Sequence, residues 1–348
     1  MTELMFWQSF WFLIIGAAIF IFLWLDGFDL GIGMTMPFLK SPEHRLASLN
    51  AIWPVWDGNE LYGLIGGGAI FATFPVVFAA LLSGLYPWVV LLLIGIMMRP
   101  IAFEAWNQEK EAGFKALWAW TFAASSFLIP FVAGVALGST IAGMPINADM
   151  AWDKGHGFWE ALSPLSVLCG LSVVGIVLLQ GSAYLVKRTS GDLQAQARKD
   201  LMPRTIFAAV TLVLVLVTAV ISVPELLGKP LALVGIIAGL VLILGGLAGV
   251  WMNKDKGNEA APYWFSSAVT AGTMVLVGGI QFPTMIRSTI DPVNYTLTIF
   301  KAGVSNPANS LAFIGFVGVG ALAVVWVITF FVYRLFKGKV DHKTHAHY

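Results

Sequence analysis

Residues 4–33 read LMFWQSFWFLIIGAAIFIFLWLDGFDLGIG, and the boundary inside this stretch decides the class of fold. Leu4 to Leu25 carry no charge, which is long enough for one helix to cross a bilayer core. Asp26 and Asp29 follow at once. Carboxylates at the edge of an apolar helix are costly to place, so by default they are a functional hypothesis. Being three residues apart, they are neighbours on one helix face. Gly27 and Gly31 form a small-xxx-small pair on an adjacent face, where a second helix can approach closely. The Asp-Gly-Phe-Asp spacing lacks the alternation of a calcium loop.

The rest of the chain repeats the first run. Of 348 residues, 58% are hydrophobic and 11% charged, with a mean hydropathy of +0.82, which excludes an ordinary soluble domain. A net charge of +1 without a basic patch gives no ground for a nucleic-acid partner. Cys169 is the only cysteine, so neither a disulfide nor a cysteine metal cluster is expected. No Lys or Arg precedes the first run, so a cleaved leader is not expected. Further uncharged runs cover Leu61–Met98, Ala116–Ala148, Ala161–Val186, Thr205–Pro224, Pro230–Asn253, Ala260–Ile286 and Ala302–Tyr333. Leu61–Met98 holds 38 residues, roughly 57 Å as a single helix, about twice a bilayer core. It therefore makes two spans, with the break at Pro75 preferred over the Gly84–Pro87 region.

The expectation is an all-α integral membrane protein of nine transmembrane helices, forming one polytopic domain over residues 1–348. Charge bias orients it with the N-terminus outside and the C-terminus cytoplasmic, because only Lys154, Lys229, Arg287 and Lys301 then fall outside. The outer loops are too short to be folded domains. The stripe Ser266, Thr270 and Thr273 reads as helix packing, and Gln180 and Gln281 as interior hydrogen-bonding groups. Trp7, Trp11, Trp53 and Trp88 are expected at the two membrane interfaces. The methionines read as packing residues. His342, His345 and His347 read as a terminal tail rather than a metal site.

This topology gathers a constellation at the inner ends of the first three helices. Helix one ends with Asp26 and Asp29. Asp57 and Glu60 open helix two within Trp53–Glu60, WPVWDGNE, where the helix dipole favours negative charge. Arg99 closes helix three, with Glu104 beyond it. Two readings stay open. Carboxylates crowded in low dielectric beside an Arg suit a proton entry. Equally, Asp26 can lie at the headgroups and Asp57 can simply answer the dipole.

The stretches DGFDLGIG, WPVWDGNE, GGGAIFATFP, LSGLYP and MMRPIAFE, in that order between Asp26 and Glu104, closely resemble subunit II of cytochrome bd-type quinol oxidases. The nine-helix layout extends the resemblance over the whole chain, and two four-helix bundles plus a peripheral helix are then expected. The resemblance implies a bacterial cytoplasmic-membrane complex that oxidises membrane quinol and reduces dioxygen to water with cytoplasmic protons. It puts two b-type haems and one haem d on a haem-bearing subunit I. Asp26 and Asp57 would belong to a proton path toward those haems, with Asp29, Glu60 and Arg99 as further polar members, and Trp56 would face the partner. Some relatives bind a structural quinone in this subunit, which fixes no residue here. A small single-helix subunit is left open as a further partner. Some relatives carry an acid between the tryptophans matching Trp118 and Trp120; here Ala119 stands there.

The residues agree with the haem placement. A b-type haem in a helical bundle needs an axial His. His44, His156, His342, His345 and His347 all lie outside the apolar runs. A different class of function, an ion-coupled secondary transporter using Asp26, Asp29 and Asp57, would call for inverted repeats and helices broken near mid-membrane. A plain scaffold would leave the acids without a role.

Overall fold

A computed structural model describes residues 2–153, 158–225, 230–341 and 343. Most of these are helical: α1 (Glu3–Thr35), α2 (Pro42–Ile52), α3 (Trp56–Thr73), α4 (Pro75–Gly84), α5 (Tyr86–Gln108), α6 (Ala112–Ala142), α7 (Pro164–Arg188), α8 (Gly191–Ser222), α9 (Pro230–Asn253), α10 (Ala261–Gln281) and α11 (Ala308–Leu335). Eight helices among the described residues are long and apolar enough to cross a membrane, or nine if the bent pair α3–α4 counts as one span.

Leu61–Met98 divides at two places rather than one. Pro75 starts α4, which turns 116° from α3, and Leu85 separates α4 from α5. Proline explains both breaks. It has no N–H to donate, so it suits the first turn of a new helix, where Pro75 and Pro87 stand. The last carbonyls of α3 are met from elsewhere: Asn306 donates its backbone N–H to Thr73 O at 3.0 Å and its side-chain amide to Ala72 O at 2.7 Å. At the other end of α5 the expectation was too short. The helix continues through Pro100 to Gln108, so Arg99 stands inside it rather than at its close.

Helix α1 is the hub, packing against α7, α3, α6, α10 and α11. Its crossing with α7 is backbone on backbone. A Cβ on Gly31 would fall on the carbonyl of Val177, and one on Gly181 would meet Gly31 and Ile32. The close approach expected of Gly27 and Gly31 is therefore made with α7. The most deeply buried span is α7 and the least buried is α11.

Two ends differ in construction. At the far end from Asp26, a short antiparallel pair, β1 (Thr284–Ile286) and β2 (Leu297–Thr298), packs with residues 143–153 into a cap. Ser288 Oγ donates to Ile146 O at 2.7 Å there. Trp11 and Trp88 lie buried in the apolar cluster beneath this cap, with 3% and 5% exposure. An uncharged run gives no mark of which face turns inward.

At the Asp26 end, the segment after α11 crosses the face of the bundle. Val340 N–H donates to Arg188 O at 2.8 Å, the Arg188 guanidinium donates to Gly338 O, and Lys339 Nζ lies 2.7 Å from Glu259 Oε1. The Lys339 ammonium, then the Gln194 amide, hold the Glu259 carboxyl below the usual carboxylate range. His342, His345 and His347 lie outside the described residues.

Candidate functional site: a buried ion pair and its acidic neighbours

From Leu25 to Thr35 every residue of α1 is buried, so Asp26 and Asp29 lie in the interior of the protein. The helix continues about 14 Å beyond Asp26, at 1.5 Å per residue, before it stops at Thr35. Glycine makes this depth attainable: Gly31 lets α7 close on one face, and Gly33 lets Ser126 of α6 close on another.

The two acids do different work. Arg99 of α5 forks onto Asp26: Nη1 donates to Oδ2 at 2.8 Å, and Nη2 lies 2.7 Å from Oδ1. Both side chains are 0% exposed. Such planar, two-point recognition is what Arg offers a carboxylate and Lys does not. Asp29 is turned toward α3 instead, where Asn59 Nδ2 donates to its Oδ2 at 2.7 Å. Of the two acids on α1, it is Asp26 that holds Arg99. A three-residue step rotates the side chain by about 60° net, enough to aim the two acids at different helices.

Asn59 is the member that sequence reasoning passed over. Its Nδ2 also reaches Leu25 O at 3.3 Å, and its Oδ1 accepts from the Tyr333 hydroxyl of α11 at 2.8 Å. Asn59 was visible within WPVWDGNE, between two acids, but nothing local marked Tyr333, 274 positions away.

From this core the charge continues outward along α3. Glu60 Oε2 stands 3.8 Å from Arg99 Nη1 with its side chain 18% exposed. Asp57 is exposed in the first turn of α3, a helix start with no side-chain cap, where free N–H groups favour an anion. Trp56 is half-buried. It stacks on Phe103 at 5.4 Å and lies 5.7 Å from Arg99 Cζ, in reach of a cation–π contact. Glu104 points outward, bonded to Gln108, and does not join the group. Ala119 is buried in the apolar cluster beside Trp118, while Trp120 is exposed against Phe38.

Four buried atoms of the site make no hydrogen bond: Asp26 Oδ1 and Arg99 Nη2, which face each other in the ion pair, and Asp29 Oδ1 and Arg99 Nε, which lack even that. Buried polar atoms seldom stay unpaired, so such gaps mark places for water or a proton. Some neutral polar groups nearby are matched, although the Ser126 and Ser182 hydroxyls are not. Thr270 Oγ1 donates to Gln180 Oε1 at 2.7 Å, Gln180 Nε2 donates to Trp24 O at 2.8 Å, and Gln281 Nε2 donates to Thr140 Oγ1 at 2.9 Å. These are the interior hydrogen bonds expected of them.

The donor set also bears on haem. His44 is the one histidine among the described residues, and it sits on α2, outside the spans. The spans contain no histidine, so their residues do not fit axial ligation of a b-type haem.

Fold and site together define a polytopic helical membrane protein with a buried, charged group set near one end of its central helix. Comparison with known proteins gives the family. The sequence matches the family described as cytochrome bd terminal oxidase subunit II over residues 7–336. It is 32% identical over 339 residues to cytochrome bd ubiquinol oxidase subunit 2 of Bacillus subtilis (strain 168), covering 96% of both chains. It is 36% identical over 192 residues to cytochrome bd-I ubiquinol oxidase subunit 2 of Escherichia coli (strain K12). That match covers 54% of this chain and about half, 50%, of the relative's length. A chain in the structure of bd oxidase from Geobacillus thermodenitrificans shares the fold, with a TM-score of 0.75 at 17% identity, covering 95% of this chain and 98% of that one. The chain belongs to the cytochrome bd terminal oxidase subunit II family.

Proposed function

We propose that this chain is the subunit of a membrane quinol:oxygen oxidoreductase that holds no haem itself and leads protons toward a haem-bearing partner. The two b-type haems and the haem d would then sit on that partner, supplying the oxygen chemistry, with membrane quinol and dioxygen as substrates of the complex. The end carrying Asp26 would face the cytoplasm, as the distribution of Lys and Arg favours.

One observation carries the reading: the acids form a graded line from surface to interior. Asp57 is exposed, Glu60 is partly covered, Asp26 is buried on Arg99, and Asp29 is buried with Oδ1 free. A scaffold has no use for such a line, because each unpaired carboxylate taken into low dielectric costs several kcal/mol, by order of magnitude. Three acids surround one guanidinium in the interior, so Asp26 can balance Arg99 while Glu60 and Asp29 take up and release protons. Trp56 and Asp57 stand side by side at the start of α3 on a part-exposed surface, which suits a partner docked there. The transporter alternative fares worse. Helix α1 runs unbroken through Asp26 and Asp29, and the α3–α4 break lies at the far end from them.

Substituting the outermost acid tests the proposal. In the purified complex, Asp57→Asn should slow quinol-driven oxygen consumption by roughly ten- to a hundred-fold, the scale of a lost acid–base group. Haem content and co-purification of the partner should be unchanged. Full turnover in that variant, or a loss of haem in step with activity, would contradict a proton-delivery role.

A further inference from the structure

Building on the proton-route reading, we infer that Asn59 is a positioning residue that restricts the proton of Asp29 to one carboxyl oxygen, Oδ1, with Tyr333 fixing the amide that does so. The orientation of the Asn59 amide is determined by its surroundings. Leu25 O is a backbone carbonyl that can only accept, and it lies 3.3 Å from one amide atom, which must therefore be the N–H₂ group. That group also faces Asp29 Oδ2 at 2.7 Å. The remaining amide atom is then the carbonyl Oδ1, which can only accept. The Tyr333 hydroxyl at 2.8 Å must donate to it.

Three consequences follow for Asp29. An N–H already points at Oδ2, so a proton on that oxygen would face a donor. The site left is Oδ1, which is buried and receives no donor, with the Asp26 carboxyl within side-chain hydrogen-bond reach of Asp29. An amide neither takes up nor gives up a proton under ordinary conditions. The line Asp29–Asn59–Tyr333 thus ends proton movement in the direction of α11 and leaves the acid open on its Oδ1 side. The titratable and charged groups around Asp29 are Asp26 on its own helix, Glu60 of α3, Arg99 of α5, Tyr184 of α7, Tyr263 of α10 and Tyr333 of α11. All three tyrosines are hydroxyls rather than charges.

The placement of α11 agrees with this role. It is the least buried span, with only Leu311 and Gly315 buried among its residues. It nonetheless brings two hydroxyls to α3 near the site, Tyr333 on Asn59 and Thr329 within 3.1 Å of the Tyr62 hydroxyl. Tyr62 does not touch Asn59 or Asp29 in any hydrogen bond, so it provides an internal control for mere attachment of the helix.

The experiment uses the complete oxidase complex and infrared difference spectroscopy. The carboxyl C=O band of protonated Asp29 is assigned by its disappearance in Asp29→Asn. Asn59→Leu should move that band to higher frequency, because its C=O loses the amide donor. Turnover should fall roughly ten-fold, as for loss of a hydrogen bond to an ionisable group, with a displaced pH profile and unchanged haem content. Tyr333→Phe should shift the band the same way with roughly a three-fold loss, since Leu25 O still holds the amide in part. Tyr62→Phe should match the native enzyme. An unmoved band, or a Tyr62→Phe loss as large as that of Tyr333→Phe, would overturn the inference. If Asn59→Leu does not assemble, the band in Tyr333→Phe decides it in the same way. A shifted band with normal turnover in both Asn59→Leu and Asp29→Asn would uphold the positioning of Asp29 and reject the proton route.

Discussion

The two ends of α1 are built on opposite principles. Toward its N-terminus the helix is fastened by neutral groups that are all matched: Gln8 Nε2 donates to Ser305 Oγ at 2.8 Å, and Trp11 Nε1 donates to Leu311 O at 3.0 Å. Aromatic contacts fill the rest, among them Phe12 on Phe282 and Trp7 on Phe316. Toward its C-terminus two carboxylates are buried completely, and one oxygen of Asp29 is left without a partner. If the second arrangement served only to hold helices together, the first would do it with less desolvation. On the proposed function, the difference separates a structural end from a functional one.

The largest effect should come from splitting the ion pair. Arg99→Leu leaves the Asp26 carboxylate buried and alone, which costs about 3–5 kcal/mol. Poor recovery of the assembled complex and a sharply lowered thermal midpoint are expected. Trp11→Phe removes one neutral hydrogen bond at the opposite end, worth about 1 kcal/mol, and should leave turnover unchanged. Thermal midpoints and oxygen consumption of the two variants, measured together, check whether the ends differ as described. Equal losses at both would erase the distinction.

A smaller effect is expected at the strap below the site. Lys339 and Gln194 hold the Glu259 carboxyl low, so the stabilisation is fully present above the ordinary carboxylate value of about 4.3 and is lost as pH falls through the lower folded value. The pair is part-exposed, so Lys339→Ala should cost less than about 1 kcal/mol near neutral pH. The thermal-midpoint gap between native protein and variant should close in acid, once the pH lies below the lowered folded value and the carboxyl is protonated in both. A gap that persists unchanged in acid would show that Lys339 acts through packing.

How far these contrasts could be read from sequence depended on what each residue leaves in a linear pattern. Spans are legible because charge is excluded from them over about 20 residues at a time. The close approach at Gly27 and Gly31 is legible too, since only small residues permit it. Clustering of Asp26, Glu60 and Arg99 followed from counting helices to the same membrane face. Partner choice within the cluster was hidden. Whether Arg99 takes Asp26 or Asp29 depends on how α1 is rotated about its axis, and an α1 that is apolar on all sides does not reveal that. Tyr333 was hidden for a different reason: a tyrosine at the end of the last span looks like any interfacial aromatic until α11 is placed beside α3. The second break, at Leu85, was legible as the Gly84–Pro87 alternative and was passed over because Pro75 alone was enough to divide an overlong run.

The central claim is that the buried charge at the end of α1 serves function rather than cohesion, and one double variant tests it most directly. Asp26→Asn with Arg99→Leu removes both charges at once, so no ion is left unpaired and the stability lost in Arg99→Leu should largely return. The account predicts a complex that assembles with full haem content, recovers most of its thermal midpoint, and still consumes oxygen at least roughly ten-fold more slowly than the native enzyme. Recovery of turnover together with stability would contradict it.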